Sequence, residues 1–435
     1  MIWLMRLFAC LLALVGCCVA GALQGQPYFP PLTGEQWETT APEALGWCPD
    51  PIDSLYAFLD ETHAKAFIVL KDGRIVLEQY FNGHSADLNW YWASAAKTIT
   101  ATLTGIAQEE GLLSLSDPVS DYIGEGWTNC EPALEAERTI YHQLTMSSGF
   151  NTFPAFWDCT EPECFQCAVP PGTQWHYHNG VYRQLLFALE AATGVNRNLY
   201  TMQKIGSQIG MSGFWLDNLY FSKAREMARF GLLASNDYVW DGQTVLGDQG
   251  YIEAMRNTAS DINPAYGYLW WLNGKENYFA PLDFEAIDGF LIPSAPADLY
   301  AGMGANEQRV YVVPSQGLVV VRMGDAADET AAAVTAFDDE LWQRINALEC
   351  GSLHSAHPRA QADGLLVYPN PSDGVVKVRD AHAYTQLRVL RTDGVTVLHI
   401  HNPQADTEIR LPPGLYLMEG QHRDGTTLMA RFVVI

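Results

Sequence analysis

Strand-like runs stand at both ends of the first 350 residues, and the stretch between them reads as helix and loop. Ala66-Phe67-Ile68-Val69-Leu70 and Ile75-Val76-Leu77 flank the turn dipeptide Asp72-Gly73, the pattern of a hairpin. Strand character returns in Tyr268-Leu269-Trp270-Trp271, Gln308 to Val313 and Leu318 to Arg322. Helical patterns fill much of 110–260, including Tyr182 to Ala192 and Ala224 to Leu233, and Ala331 to Leu348 closes the region as a helix. Buried strands need partners for their backbone groups. Runs this far apart therefore predict one sheet completed by the N- and C-terminal parts, an α/β (α+β) fold with a helical insertion.

The chain has 435 residues, 48% of them hydrophobic and 17% charged, enough to bury a large core. Fifty acidic against 25 basic residues leave a net charge of −25, and no basic cluster overrides it, which excludes nucleic acid as an expected partner. Residues 1–22 read as a signal peptide: Arg6, an apolar run from Leu7 to Ala20, and Ala20-Gly21-Ala22 as a small-residue cleavage site. The run is short for a membrane span, so no stable transmembrane segment is expected. Leu14-Val15-Gly16-Cys17 also fits a lipoprotein signal in which Cys17 carries the lipid.

Removing the leader leaves Cys48, Cys130, Cys159, Cys164, Cys167 and Cys350. An even number in an exported chain favours disulfides, with fifteen pairings open. A zinc site in the crowded Cys159–Cys167 loop would have only His176 and His178 nearby and no second paired motif, so no metal is expected.

Ser94-Ala95-Ala96-Lys97 is the only Ser-x-x-Lys in the chain. It follows the aromatic, strand-like Trp90-Tyr91-Trp92-Ala93 and opens a predicted helix with Ile99, Leu103, Ile106 and Ala107 on one face and Gly111 as its stop. Residues three apart share a helix face, so the Lys97 amine is expected beside the Ser94 hydroxyl. A serine is a poor nucleophile until a neighbour takes its proton, and a partly desolvated lysine can do so. A helix N-terminus also favours developing negative charge. The same four residues describe equally well a helix-start serine with a solvated lysine one turn on. Tyr177-His178-Asn179 supplies further elements: a tyrosinate beside an ammonium as proton acceptor, and Asn179 to hold Lys97 or the substrate. Alone, such a turn is ordinarily structural.

These motifs, with Gly111 to Val119, Ile140 to Gly149, Ala191-Ala192-Thr193-Gly194, Gly210-Met211, Met227 to Leu233 and Tyr266 to Trp271, resemble the serine β-lactamase-related hydrolases. The likeness is to the class C, D,D-peptidase and esterase side of that family and extends over most of residues 50–350. It implies a β-lactamase/transpeptidase-like fold, an acylated Ser94, proton-transfer roles for Lys97 and Tyr177, and a positioning role for Asn179, with no cofactor. The third family box departs: Gly302-Met303-Gly304-Ala305 stands where penicillin-recognising members place Lys/His-Thr/Ser-Gly. By the resemblance, the backbone amides of Ser94 and Ala305 form the oxyanion hole. Met303 cannot supply the cation that pairs a β-lactam or peptide carboxylate. Esters or amides are therefore the expected small-molecule substrates, and 6-aminohexanoate-dimer hydrolase and related esterases are the nearest members. Trp90, Trp92, Trp157, Trp175, Trp270 and Trp271 would either line an acyl pocket or pack in the core. The Cys159–Cys167 loop is expected to overhang the site.

After a linker at 353–363, residues 364–435 alternate short strands and turns and predict a small all-β sandwich. Val367 to Gly374, Val389 to Gly394 and Leu411 to Tyr416 resemble C-terminal sorting domains of the type IX secretion route of Gram-negative bacteria. That resemblance implies the secretion machinery as partner, a secreted or cell-surface location, and ordinary leader cleavage in preference to lipidation at Cys17. A carbohydrate-binding sandwich is weaker, since no exposed aromatic row is evident. The domain reading is thus 1–22 leader, 23–352 hydrolase, 353–363 linker and 364–435 sorting domain. The leading function is a secreted serine hydrolase; the alternatives are a penicillin-binding D,D-peptidase or β-lactamase, and an inactive surface-binding protein with the same fold. His-Glu-x-x-His and Gly-x-Ser-x-Gly are both absent, against metal hydrolase and α/β-hydrolase readings.

Overall fold

The structure, a computed structural model, describes residues 27–151, 158–281, 285–327, 336–350, 367–368, 374–378, 381–391, 395–404, 407–423 and 427–434. The expected leader with Cys17, Trp157 and the expected linker lie outside the described residues, as does part of the motif read as a sorting domain. The chain divides into two units, one ending at Cys350 and the other starting at Gly351.

The first unit is organised by a six-stranded sheet. Its strands are β1 (Ala64–Lys71), β2 (Arg74–Tyr80), β6 (Trp271–Leu272), β7 (Tyr300–Gly304), β8 (Gln308–Val313) and β9 (Leu318–Gly324), in the order β2-β1-β9-β8-β7-β6 with antiparallel pairing throughout. The hairpin between β1 and β2 turns on Asp72 and Gly73, with φ of 47° and 82°. Gly73 is required twice, because a Cβ there would lie 1.8 Å from the Tyr28 carbonyl oxygen. β8 and β9 are buried at every residue, so the sheet is covered on both faces.

Helix α4 (Ala224–Ser235) covers one face, and Gly231 lets it approach: a Cβ there would meet Val319 Cγ1 at 2.5 Å and Val310 Cγ2 at 2.9 Å. On the other face α1 (Pro49–Glu61) and α5 (Ala336–Asn346) pack together, with Phe58 stacked on Phe337 at 5.6 Å. Fully buried Arg309 of β8 is clamped to Asp338 of α5 at 2.6 Å, and Tyr311 donates to the same carboxylate.

The expected sheet, completed from both ends of the domain, is present. Element boundaries differ where the backbone turns early. The predicted strand at 90–93 shortens to β3 (Trp90–Tyr91), and the predicted helix at Ser94 is a 3-10 turn over Ala93–Ala96 before α2 (Lys97–Glu109). The strand at 268–271 starts only at Trp271, because Leu269 has a φ of 60° that breaks an extended run. Helix α3 spans Asn179–Thr193, three residues earlier than its apolar pattern.

All six cysteines among the described residues are paired: Cys48–Cys350, Cys130–Cys167 and Cys159–Cys164. The first ties the segment before α1 to the segment after α5. The second unit holds two small antiparallel sheets, of three strands (β10 Val367–Tyr368, β11 Val375–Val378, β14 Glu408–Arg410) and four (β12 Tyr384–Arg391, β13 Thr396–His401, β15 Gly414–His422, β16 Thr427–Val434). They share a core that includes Val376, Val378, Leu387, Val389, Ile409 and Met418. Among the described residues no helix is long and apolar enough to cross a membrane.

Removing one partner of a buried ion pair strands the other charge, at a cost of about 3 kcal/mol or more. Asp338→Asn is therefore expected to lower the first unit's stability by about that amount, read by urea denaturation with tryptophan fluorescence. An unchanged midpoint would contradict the clamp.

Candidate active site

The turn that carries Ser94 is held from below by aromatic packing and backbone bonds. Fully buried Trp92 donates its backbone N–H to the Tyr220 carbonyl at 2.8 Å and its indole N–H to Ser222 Oγ at 2.8 Å. Ala93 then takes a φ of 46°, the left-handed region that a non-glycine residue rarely adopts. This local strain lies immediately before the half-buried Ser94, and no composition signal in the sequence announced it.

Lys97 opens α2 and is 3% exposed. Its Nζ lies 3.0 Å from Ser94 Oγ and 2.7 Å from Asn179 Oδ1, and sits over the rings of Tyr182 at 4.4 Å and Tyr177 at 5.0 Å. Burial pulls its pKa down from 10.5 to about 7, against the opposing pull of the Asp158 carboxylate. The solvated lysine of the bland reading is therefore not what the fold builds.

Tyr177 is buried and hydrogen-bonded to Ser94. Burial raises its pKa well above the usual phenol value, and the Ser94 hydrogen bond only partly offsets that. The sequence-based expectation of a tyrosinate beside an ammonium is thereby corrected: desolvation favours a neutral phenol and a neutral amine. Trp271 stacks on Tyr177 at 5.9 Å, while Tyr266 and Trp175 flank it at 6.4 and 6.2 Å. Trp175 and Trp271 thus case the tyrosine, and Trp92 and Trp270 are core residues with no exposed surface. Half-buried Trp90 donates to the Gly324 carbonyl at 3.2 Å.

Asn179 is the first residue of α3, whose N-cap His178 accepts from the Val181 amide at 3.2 Å. The disulfide-stapled loop leans on this first turn: a Cβ on Gly180 would come within 2.1 Å of the Cys159 carbonyl oxygen, and Gln184 donates to the Thr160 carbonyl at 2.9 Å. His176 and His178 are held neutral by burial, with pKa values of about 4 and about 3. With the nearby cysteines in disulfides, they have no thiolate partners for zinc, and no His/Cys/Asp/Glu group among the described residues has the arrangement to hold a metal ion.

Strand β7 runs beside the serine turn. A Cβ at Gly304 would lie 2.9 Å from the amide nitrogens of Ser94 and Ala95, and one at Gly302 would lie 3.1 Å from Thr98 Cγ2 and 3.2 Å from the Ala95 carbonyl oxygen. Both glycines face Ser94's turn, and at Gly304, where a Cβ would also lie 2.5 Å from the Trp92 carbonyl oxygen, any larger residue would push strand and turn apart. Met303 alternates to the opposite sheet face, where its register partner Arg309 meets Asp338. The missing cation is therefore traced to Gly302 and Gly304 and not to Met303, which does not face the site. Gly304's carbonyl accepts from Arg309 at 2.5 Å, and Ala305 follows as the first residue of an exposed turn at the mouth.

The geometry joins Ser94, Lys97, Tyr177 and Asn179 in one hydrogen-bonded group beside a glycine strand. Tyr182 and Asp158, which the sequence reading left out, contribute a ring face and a field; neither carries a local motif. The β-lactamase family model matches residues 57–340, well over half of the chain. The chain belongs to the β-lactamase family. Solved structures agree on the fold: a provisionally named 6-aminohexanoate-dimer hydrolase of Bacillus anthracis superposes with a TM-score of 0.55 at 20% identity, covering 74% of this chain and 91% of its own. A provisionally named β-lactamase of Bacteroides dorei gives 0.56 at 15% identity, covering 69% and 99%. A penicillin-binding protein homologue of Caulobacter crescentus gives 0.51 at 14%, covering 69% and 98%. This β-lactamase-family chain thus has the fold of the family's serine hydrolases, with the small sheets of the second unit added.

The depressed Lys97 pKa makes a stability prediction. Between about 7 in the folded chain and about 10.5 unfolded, the unfolded chain binds more protons, so Lys97 penalises folding fully below pH 7 and progressively less as pH rises. Lys97→Met is expected to raise the melting temperature most at pH 6, with the gain shrinking toward pH 10. Calorimetry of both proteins across that range checks it, and a pH-independent difference would contradict the desolvated amine.

Proposed function

We propose that the protein is a serine hydrolase acting through an acyl-enzyme on small esters or amides. The observation that carries this reading is the nearly unexposed Lys97 amine, 3.0 Å from Ser94 Oγ and with its pKa pulled to about 7. In this reading neutral Lys97 takes the Ser94 proton as the oxygen attacks the substrate carbonyl. Asn179 orients the amine through its Oδ1, and the Tyr177 phenol, hydrogen-bonded to Ser94, gives its proton to the departing alcohol or amine and is refilled from Lys97, so that both groups are neutral again in the acyl-enzyme. The amides of Ser94 and Ala305 stabilise the oxyanion, with Gly302 and Gly304 allowing the strand to lie this close. Water then attacks the acyl carbonyl and gives its proton to Lys97, Tyr177 returns a proton to the departing Ser94 oxygen and is refilled from Lys97, and the acid is released.

Ester or amide cleavage is preferred over β-lactam or peptide cleavage because the strand face toward Ser94 carries two glycines and no cation for a carboxylate. The neighbour named for 6-aminohexanoate dimers supports an amide or ester substrate, and the penicillin-binding neighbour keeps the competing reading open to direct test. Treating the protein with a fluorophosphonate probe and a fluorescent penicillin, beside Ser94→Ala, separates the two. Labelling by fluorophosphonate alone, lost in Ser94→Ala, is expected. Penicillin labelling would favour the D,D-peptidase or β-lactamase reading, and no labelling of folded protein the binding-protein reading. For ester turnover, kcat/KM is expected to rise with pH through an apparent pKa near 7 as Lys97 loses its proton, and to fall by about 10²–10⁴-fold in Lys97→Met. A flat profile from pH 5 to 9 would contradict Lys97 as the base.

We further infer that the second unit is an export signal of the type IX route, supported by its strand-and-turn motifs and two-sheet build. In a host with that machinery, deleting residues 364–435 is expected to leave the hydrolase in the periplasm. Continued appearance at the cell surface or in the medium would overturn this.

A further inference from the structure

Strands β3, β4 (Phe214–Leu216) and β5 (Leu219–Ser222) form a small sheet in the order β3-β5-β4, and both of its faces are apolar. Trp215 and Tyr220 point into the core. Tyr91, Phe221 and Phe214 are direct cross-strand partners on the other face, and Leu219 and Leu216 form the adjoining pair. Phe214 and Phe221 stack at 5.5 Å with their planes 10° apart, and Tyr91 continues the row at 6.3 Å. The face is open: Phe214 is 43% exposed, Leu216 64% and Leu219 37%. A contiguous apolar face left in water marks a binding surface more often than a lone exposed leucine does.

The position of this strip says what it binds. Its inner end, Tyr91, is three residues before Ser94, and the Tyr91 hydroxyl accepts from Asn306 Nδ2 at 2.7 Å. Asn306 directly follows Ala305, so the strip begins against the turn that ends β7 beside Ser94. Two strand spacings carry it about 10 Å from Tyr91 to Phe214. A row of this width, without a charged side chain among its five residues, matches an extended hydrocarbon group and offers no counter-charge to a carboxylate.

We propose that this strip is the subsite for the apolar chain of an ester substrate, so that the enzyme selects esters carrying a medium-length aliphatic group. The proposal rests on the serine-hydrolase reading and deepens it. Each methylene laid on the strip removes apolar area from water, at about two- to fourfold in kcat/KM when partly to fully buried.

The test uses two ester series on the full chain: p-nitrophenyl acetate, butyrate and octanoate for the acyl end, and methyl, butyl and octyl acetate for the alcohol end. In the wild type, the octyl-to-shortest ratio of kcat/KM is expected to reach at least about tenfold in one series, which identifies the end that is bound. That ratio is expected to collapse in Phe214→Ser/Leu216→Ser, and to fall partially in Leu216→Ser alone, whose open side chain makes misfolding no explanation. A ratio near one in both series, or one the variants leave intact, overturns the proposal.

1-Octanol, a neutral eight-carbon probe, titrated by calorimetry into wild type and both variants reads the strip without turnover. Binding that the variants lose supports the subsite even if Ser94 fails to label, while equal binding or none counts against it whatever Ser94 does. Concentration-dependent dimerisation in ultracentrifugation that the variants abolish would assign the strip to a second copy of the chain and also overturn the proposal.

Discussion

The structure turns on an amine taken almost completely out of water. Lys97 has a hydroxyl, an amide oxygen and two aromatic ring faces around its Nζ, and its hydrogen bonds to Ser94 and Asn179 are both to neutral groups. An isolated ammonium in such a place is costly, and the cheaper outcome is a lowered pKa. Its position at the first residue of α2 works in the same direction, since unpaired amides at a helix N-terminus repel a cation. The fold thus places a base of roughly neutral pKa against a serine that would otherwise be inert.

Holding that arrangement requires backbone to approach backbone closely. Gly302 and Gly304 let β7 lie against the serine turn, and the Arg309–Asp338 clamp on the far face of the sheet fixes the carbonyl of Gly304. One buried ion pair therefore serves both core and site, its desolvation offset by the bidentate contact and the further bonds to the Gly304 carbonyl and Tyr311. On the other side, the Cys159–Cys164 loop presses on the first turn of α3 and fixes Asn179. The aromatic case of Trp175, Tyr266 and Trp271 leaves Tyr177 little rotamer freedom. Positioning is thus shared by three independent supports.

The sheet was legible in the sequence because its strands are long apolar runs, and both hairpin strands and β8 were found within a few residues. Ser94, Lys97, Tyr177 and Asn179 were legible as a spaced set, although their meeting depended on a tertiary contact between α2 and α3. Disulfide pairing was not legible, since six cysteines carry no partner information in their order. Nor was the facing of the third box: a one-residue change of side on a strand moved the emphasis from Met303 to its flanking glycines. The protonation states were misread for a related reason. Burial of Lys97 and Tyr177 is a property of the packed aromatic surroundings, and no local motif encodes it.

The two proposals on substrate have a common physical origin. Glycines on β7 leave the site without a counter-charge, and the apolar face of β3, β4 and β5 begins where that strand ends. A neutral carbonyl with a hydrocarbon chain satisfies both. The central claim, that Lys97 is the desolvated base beside Ser94, is tested most directly by following the Lys97 side-chain resonance by NMR in protein reductively ¹³C-methylated on its lysines, with Lys97→Arg to assign the signal. The account predicts a titration midpoint near 7. A midpoint above 10 would show a solvated ammonium and contradict it.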